Sequence, residues 1–188
     1  APPPRAVPRS ARAAARARQS RVGRALARAL LARLSASDGS GVWHLTHTPD
    51  GRPLAVGADG RPGPSVSIAH AGGWAACAVA HGGTVGVDLE VPRPGRPCLD
   101  IARAYFSAAE GAAVAAGGQD AFLVFWTLRE ALAKCRGSGL AGALGLDGAA
   151  LAALPPGGGV VTAEGAVCRV WSRRRRGHVL ALAFTRKS

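Results

Sequence analysis

Thr84-Val85-Gly86-Val87-Asp88-Leu89-Glu90 is the stretch from which the fold can be read. Side chains alternate faces along a strand, so Val85, Val87 and Leu89 point one way. Asp88 and Glu90 point the other way, and Gly86 leaves room beside them. Two carboxylates spaced about 7 Å along one strand face can grip a hard cation that keeps several waters. The same pattern also describes an edge strand with a solvated acidic face.

Downstream, Pro92–Pro97 reads as a loop, followed by a short helix near Asp100–Phe106. Another helix starts at Ser107, where Ser107-x-x-Glu110 has the form of a capping box. A longer one runs from Asp120 to about Arg136, with Phe125, Leu128 and Leu132 as its core stripe. Trp126, Glu130 and Lys134 lie on another face at i, i+4, i+8, where Glu130 and Lys134 also suit an ordinary surface pair. Gly137–Gly148 is a glycine-punctuated loop. The end reads as a hairpin: Val167–Ser172, a basic turn Arg173–Gly177, then Val179–Thr185. Upstream, Val22, Leu26, Leu30 and Leu34 set an i+4 stripe for a helix over Arg18–Leu34, ended by Ser35–Gly41. Val42–Thr48, Ser65–Ile68 and Trp74–Ala80 are strand-like, with a Gly/Pro loop over Gly57–Pro64. These elements predict an α+β fold of two pseudo-related lobes, each a small antiparallel sheet on a long helix. Residues 1–17 form a basic lead-in, 18–83 the first lobe and 84–188 the second.

With 188 residues, 48% hydrophobic and 19% charged, the chain can bury a core, and wholesale disorder is excluded. No apolar run is long enough to cross a membrane. The formal charge of +13 is uneven: residues 1–34 hold nine arginines and no acid, and Arg173–Arg176 supply the remaining excess. Arginine so outnumbers lysine (Lys134 and Lys187 alone) that we read the bias as that of a GC-rich genome. Cys77, Cys98, Cys135 and Cys168 stand apart with no CxxC, which argues against a zinc site or a disulfide scaffold and fits a reducing cytoplasm. The start of the sequence lacks the apolar core of a secretory signal. His44 and His47 have no third ligand nearby and read as strand-surface histidines.

Taken together, Gly86-Val87-Asp88-Leu89-Glu90 and Trp126-Thr127-Leu128-Arg129-Glu130-Ala131-Leu132-Ala133-Lys134 resemble the 4′-phosphopantetheinyl transferases of the Sfp type. Their signature is G-[V/I]-D-x-E followed by W-x-x-K-E-[A/S]-x-x-K. In register with it, Gly51-Arg52-Pro53 looks like the family's G-[K/R]-P turn and Ser67-Ile68-Ala69-His70 like its S-x-S-H strand end. Phe106-Ser107-Ala108-Ala109-Glu110 resembles its F-[S/T]-x-x-E segment, and Gly137-Ser138-Gly139-Leu140 its glycine loop after the lysine. The resemblance covers about Arg18 to Leu151.

The resemblance implies transfer of the phosphopantetheine arm of coenzyme A to a serine of an acidic acyl or peptidyl carrier protein, with Mg²⁺, releasing 3′,5′-ADP. By similarity Asp88, Glu90 and Glu130 hold the metal, and Lys134 stabilises the leaving-group phosphate. Glu130, directly or through a metal-bound water, is the candidate base. Glu110 is either a further catalytic group or the capping-box residue, and the two roles can coexist. Gly51, Arg52 and Pro53 would lie along the adenine, with His70 and Arg18 at the 3′-phosphate. Departures are Ala69 for the serine before the histidine, Arg129 for the lysine before Glu130, and an Arg/Ala/Pro stretch before Arg18 where the family's opening strand is expected. The last bears on coenzyme A affinity. The expected protein is a monomer that binds neither membrane nor specific nucleic acid. Two other readings fit parts of the sequence: an Arg-rich arm holding nucleic acid through phosphates, and a transferase-like scaffold without activity.

Overall fold

A computed structural model describes residues 9–144, 148–163, 165–175 and 177–186. Within them the fold is α+β, with small antiparallel sheets against long helices. Helix α1 (Arg9–Asp38) is followed by hairpin β1 (Trp43–His47) and β2 (Pro53–Gly57), then by hairpin β3 (Ser65–Ala71) and β4 (Trp74–Ala80). Strand β5 (Gly83–Glu90) leads through α2 (Cys98–Tyr105) to the long α3 (Ala108–Arg136). Two short helices, α4 (Gly139–Leu144) and α5 (Ala149–Ala152), precede β6 (Gly158–Ala163), β7 (Ala166–Arg175) and β8 (His178–Arg186). A four-stranded sheet has the order β5-β8-β7-β6, so β5 pairs with the last described strand, Asp88 opposite Ala181. No described helix is long and apolar enough to span a membrane.

Several elements depart from the sequence-based expectation. Helix α1 begins at Arg9, inside the expected lead-in, of which residues 1–8 lie outside the described ones. Its buried face is Gly23-Ala27-Leu31, with Ala27 and Leu31 packed on Ala55 and Val66, whereas Val22 and Leu26 are exposed. The small residues win because the helix lies so close to β3 that a Cβ at Gly23 would stand 2.5 Å from Ile68. Bulk at that face would push the two apart. Strands β2 and β6 were not foreseen, nor were α4 and α5 within and just after the expected glycine loop. The basic turn is also shorter than expected. Arg173–Arg175 continue β7, Arg174 opposite Val179, and Arg176 lies outside the described residues.

The two helices expected from Ser107 and Asp120 are present as segments of α3. Gly118 breaks it with φ 61° and ψ −146°, a backbone region that a side chain resists. Beyond the break, Phe122, Leu123, Leu128 and Leu132 bury against the four-stranded sheet and α2. The β3–β4 hairpin joins the four-stranded sheet through side chains: Val85 N–H donates to Ser65 Oγ (3.0 Å) and Val87 N–H to Ser67 Oγ (2.9 Å).

Strand β5 and α3 meet where the strand has no side chain. A Cβ on Gly86 would stand 1.9 Å from the Ala131 carbonyl oxygen and 2.4 Å from the Cys135 nitrogen. These are backbone atoms that cannot swing aside. Gly86→Ala is expected to destabilise the fold by about 3 kcal/mol, seen as a lower denaturation midpoint in urea. A midpoint equal to the parent's would show that the helix is free to shift.

Candidate functional site

Close approach at Gly86 lets a helix side chain reach the strand beyond it. Lys134 Nζ donates to Asp88 Oδ1 at 2.6 Å and to the Val87 carbonyl at 3.3 Å. Asp88 is buried, and its second oxygen, Oδ2, has no hydrogen-bond partner. Burial pushes the Asp88 carboxyl above its ordinary range, Lys134 pulls it back, and Glu90 adds to the rise. Half-buried Glu130 is raised as well, first by burial and then by the charges of Asp88 and Glu90. Lys134 thus turns to Asp88, not to the i−4 glutamate that a surface pair would use. The three carboxylates feel one another, with Lys134 and Arg96 set among them.

Glu90 is restrained separately. Its Oε2 accepts from Arg96 Nη1 at 3.2 Å and from Arg93 Nη2 at 3.4 Å. In kind, carboxylate oxygens, one of them buried and without a partner, are donors that a hard divalent cation prefers. With Lys134 on Asp88 and Arg96 on Glu90, no three His, Cys, Asp or Glu side chains among the described residues are gathered closely enough to hold an ion as they stand. His44 and His47 form no such group either.

Beside this cluster runs a cleft. A pocket of about 320 Å³ is lined by Gly51, Arg52, Pro53, Ile68, Lys134 and Gly137, among others. It shares Gly51, Pro53 and Ile68 with a pocket of about 620 Å³, where Arg24 and Arg28 of α1 meet His47 and His70. Neither pocket's wall carries a carboxylate except Asp50 at the smaller one. Two guanidiniums and two imidazoles converging on a cavity make an anion site. The Gly51-Arg52-Pro53 turn is fixed by Arg52 N–H donating to Thr48 Oγ1 (2.9 Å) and Gly51 N–H donating to the Thr48 carbonyl (2.8 Å).

The structure therefore brings Gly51, Arg52, Pro53, His70 and Lys134 to one cleft, and Asp88, Glu90, Glu130 and Lys134 to one charge cluster. Arg18 belongs to neither. It lines a separate hollow with Ala15, Gln19, Val22, Gly73 and Ala75, because its turn of α1 faces another direction. Arg24 and Arg28 stand in its place, and the i, i+4, i+8 spacing of Ser20, Arg24 and Arg28 was the available signal. Arg96 was missed too, since a loop arginine after two prolines carries no period.

Of the two roles expected for Glu110, the structure shows the capping box. It is fully buried, closes the capping box with Ser107, and takes Arg129 Nε at 3.1 Å on Oε1 and Arg129 Nη2 at 2.6 Å on Oε2. Arg129 further donates to the Ala143 carbonyl (2.9 Å) and lies 4.9 Å over the Phe106 ring. Both oxygens are occupied inside the protein, which leaves Glu110 as cap and counter-ion. Two motif residues, Glu110 and Arg129, thus serve as internal struts.

Residues 84–183 match the family model of the 4′-phosphopantetheinyl transferase superfamily. The chain belongs to that superfamily. It is also similar to a protein of Synechocystis sp. named "Putative 4'-phosphopantetheinyl transferase slr0495", at 30% identity over 104 residues. That match takes in 53% of this chain and 42% of the relative, so the chain aligns with less than half of the relative's length. The superfamily match starts within β5 and ends within β8, and so contains both motif segments that meet at Asp88 and Lys134.

Two outcomes follow for this transferase-family chain. Glu110→Gln leaves Arg129 buried without its counter-charge and should cost about 3–5 kcal/mol in urea unfolding. A loss of under 1 kcal/mol would contradict the strut role. Asp88→Asn should do the opposite. A carboxyl whose folded pKa is raised binds protons more readily in the folded state, so its ionisation lowers stability as pH rises. Without divalent ions, the Asn variant should melt above the parent at pH 7.5, and the difference should vanish as pH falls towards about 4. A variant melting well below the parent at pH 7.5 would show that the Lys134 pair dominates instead.

Proposed function

We propose that the protein transfers the 4′-phosphopantetheine arm of coenzyme A to a serine hydroxyl of an apo carrier protein. The observation that supports this most is the meeting of Asp88 and Lys134, forty-six positions apart, beside the cleft that Lys134 also lines. In the reaction the serine oxygen forms a bond to the phosphorus bearing pantetheine. The bond from that phosphorus to the bridging oxygen breaks, and 3′,5′-ADP leaves. The first lobe and the α3 face share the work, which is why we place the division between lobes near residue 84.

Each residue's part follows from its surroundings. Arg24, Arg28 and His70 bind the 3′-phosphate in the larger pocket, while Gly51, Arg52 and Pro53 bound the nucleotide between there and Lys134. Lys134, released from Asp88, supplies an ammonium to the 5′-phosphate of the departing nucleotide. Glu130 is the base: its raised pKa favours accepting the serine proton, and its half-buried position keeps it near the cluster. Asp88, Glu90 and Glu130 would hold Mg²⁺. When bound, the ion neutralises diphosphate charge.

Incubating the protein with apo carrier, coenzyme A and Mg²⁺ and measuring the carrier's intact mass tests the reading. A carrier that gains one phosphopantetheine supports it, and an unchanged mass overturns it. Arg28→Ala should raise the KM for coenzyme A about tenfold, the scale of one charge-assisted hydrogen bond, and leave the KM for carrier unchanged. With 3′-dephospho-coenzyme A the variant and parent should not differ, because the group that Arg28 meets is gone.

A further inference from the structure

We propose that Gly23 is a positioning residue: its bare α-carbon seats α1 against Ile68 of β3, and that seat sets the distance across the larger pocket from Arg24 and Arg28 on the helix to His70 on the strand. The inference rests on the reading above that this pocket takes the 3′-phosphate of coenzyme A.

A glycine inside a helix needs a reason, because only proline is a poorer helix former. Around it α1 is built mainly of alanine, leucine and arginine, which favour the helix. Gly23 is buried, and a Cβ there would stand 2.5 Å from Ile68 Cγ2. Carbon atoms in contact sit about 3.5–4.0 Å apart, so even one methyl group would have to displace something by about 1 Å. Ile68 gives little. Its Cγ2 is one bond from Cβ, and a β-branched side chain is stiff at χ1. Its backbone is held in the β3–β4 ladder, opposite Cys77. The helix is therefore the part that would move.

This contact lies where the core of the first lobe gives way to the pocket. Val66, Ile68 and His70 alternate onto one face of β3. Val66 packs with Ala27 and Leu31, and Ile68 borders that cluster. Ile68 also lines the pocket beside His70, while Ser20, Arg24 and Arg28 line it from the helix. Arg24 follows Gly23 in the chain, and its Nη2 donates to Ser20 Oγ (2.9 Å), so the guanidinium travels with the helix. His70 stays with the strand, opposite Ala75. A wider gap at Gly23 is thus passed to the separation of the two walls. A hydrogen bond spans about 2.7–3.2 Å and is lost by about 3.6 Å. A shift of about 1 Å would leave a phosphate held by one wall alone.

Isothermal titration calorimetry on the full chain tests this, with coenzyme A and 3′-dephospho-coenzyme A as titrants. The proteins are the parent, Gly23→Ala, Ile68→Ala and the double variant. Gly23→Ala should raise the Kd for coenzyme A about tenfold, the scale of one charge-assisted hydrogen bond, and leave that for 3′-dephospho-coenzyme A unchanged. Ile68→Ala removes the conflicting atom, since Ile68 Cβ would stand 4.0 Å from the new Cβ, an ordinary contact. In that background Gly23→Ala should change the coenzyme A Kd by less than about twofold, because the two substitutions share one contact. Were Gly23 only a weak point in the helix, alanine would strengthen α1 and leave binding as it was. An unchanged coenzyme A Kd, an equal loss for both ligands, or a tenfold loss that persists in the Ile68→Ala background overturns the positioning role and leaves the pocket's reading standing. If Gly23→Ala does not fold, Ala27→Val, one turn deeper on the same face and outside the pocket, is judged by the same comparison of the two ligands. A parent chain that binds coenzyme A no more tightly than its 3′-dephospho form overturns the assignment of the pocket, and this proposal with it.

Discussion

A single buried ion pair, Glu110 with Arg129, sets the geometry on which the rest of the second lobe depends. Taking both charges out of water is expensive, and such a pair is tolerated only when its remaining groups are bonded. Here two Arg129–Glu110 contacts, the Ser107 cap, the Ala143 carbonyl and the Phe106 ring meet that demand. A Cβ on Gly148 would stand 1.7 Å from Glu110 Oε2, so the chain after α4 closes tightly over the pair. The pair spans the Gly118 break and clamps the two segments of α3 together. With residue 129 turned inward, residues 130 and 134 fall on the neighbouring face of the helix. That face is the one towards Asp88.

The second constraint is steric. Because Gly86 offers no side chain, α3 rests directly on β5, and a lysine near the helix end can span to the strand's carboxylate and to its backbone. The result is an array in which carboxylates and cations alternate: Lys134 on Asp88, Arg96 on Glu90, and Glu130 within the field of all of them. Partial burial makes each of these charges matter more than it would at the surface. Asp88 and Glu130 are held above their ordinary range, and the site is charged with interactions that a bound cation or phosphate would rearrange.

The arginines, which dominate the charge of this chain, do not act as one basic surface. Arg129 is a strut, Arg96 is held at Glu90, Arg24 and Arg28 line a pocket, and Arg174 is paired with Asp120 just past the Gly118 break of α3. Net charge therefore said little about any of them. Their uses follow from which way each points once the helices and strands are packed.

Much was legible from order along the chain alone. Alternation over Thr84–Glu90, the period of Phe125, Leu128 and Leu132, and the break between the Ser107 and Asp120 segments come from backbone periods of two and 3.6. These are local properties that neighbouring residues determine, and so are the capping box and the turn at Gly51. The motif residues were equally visible as a set, because their spacing is a linear feature. Tertiary structure decided the rest. It turned α1 so that Gly23, Ala27 and Leu31 are buried in place of Val22 and Leu26, since at Gly23 the helix comes too close to Ile68 of β3 for a side chain. It moved the basic end of the larger pocket from Arg18 to Arg24 and Arg28 and kept Glu110 inside. It also placed Arg96 beside Glu90 through aromatic rings contributed by a helix more than twenty positions away. Period and spacing record which face a residue shares with its neighbours in sequence. Which of those faces meets another element is set by the balance of volume and charge across contacts between distant segments, and no local pattern carries that information.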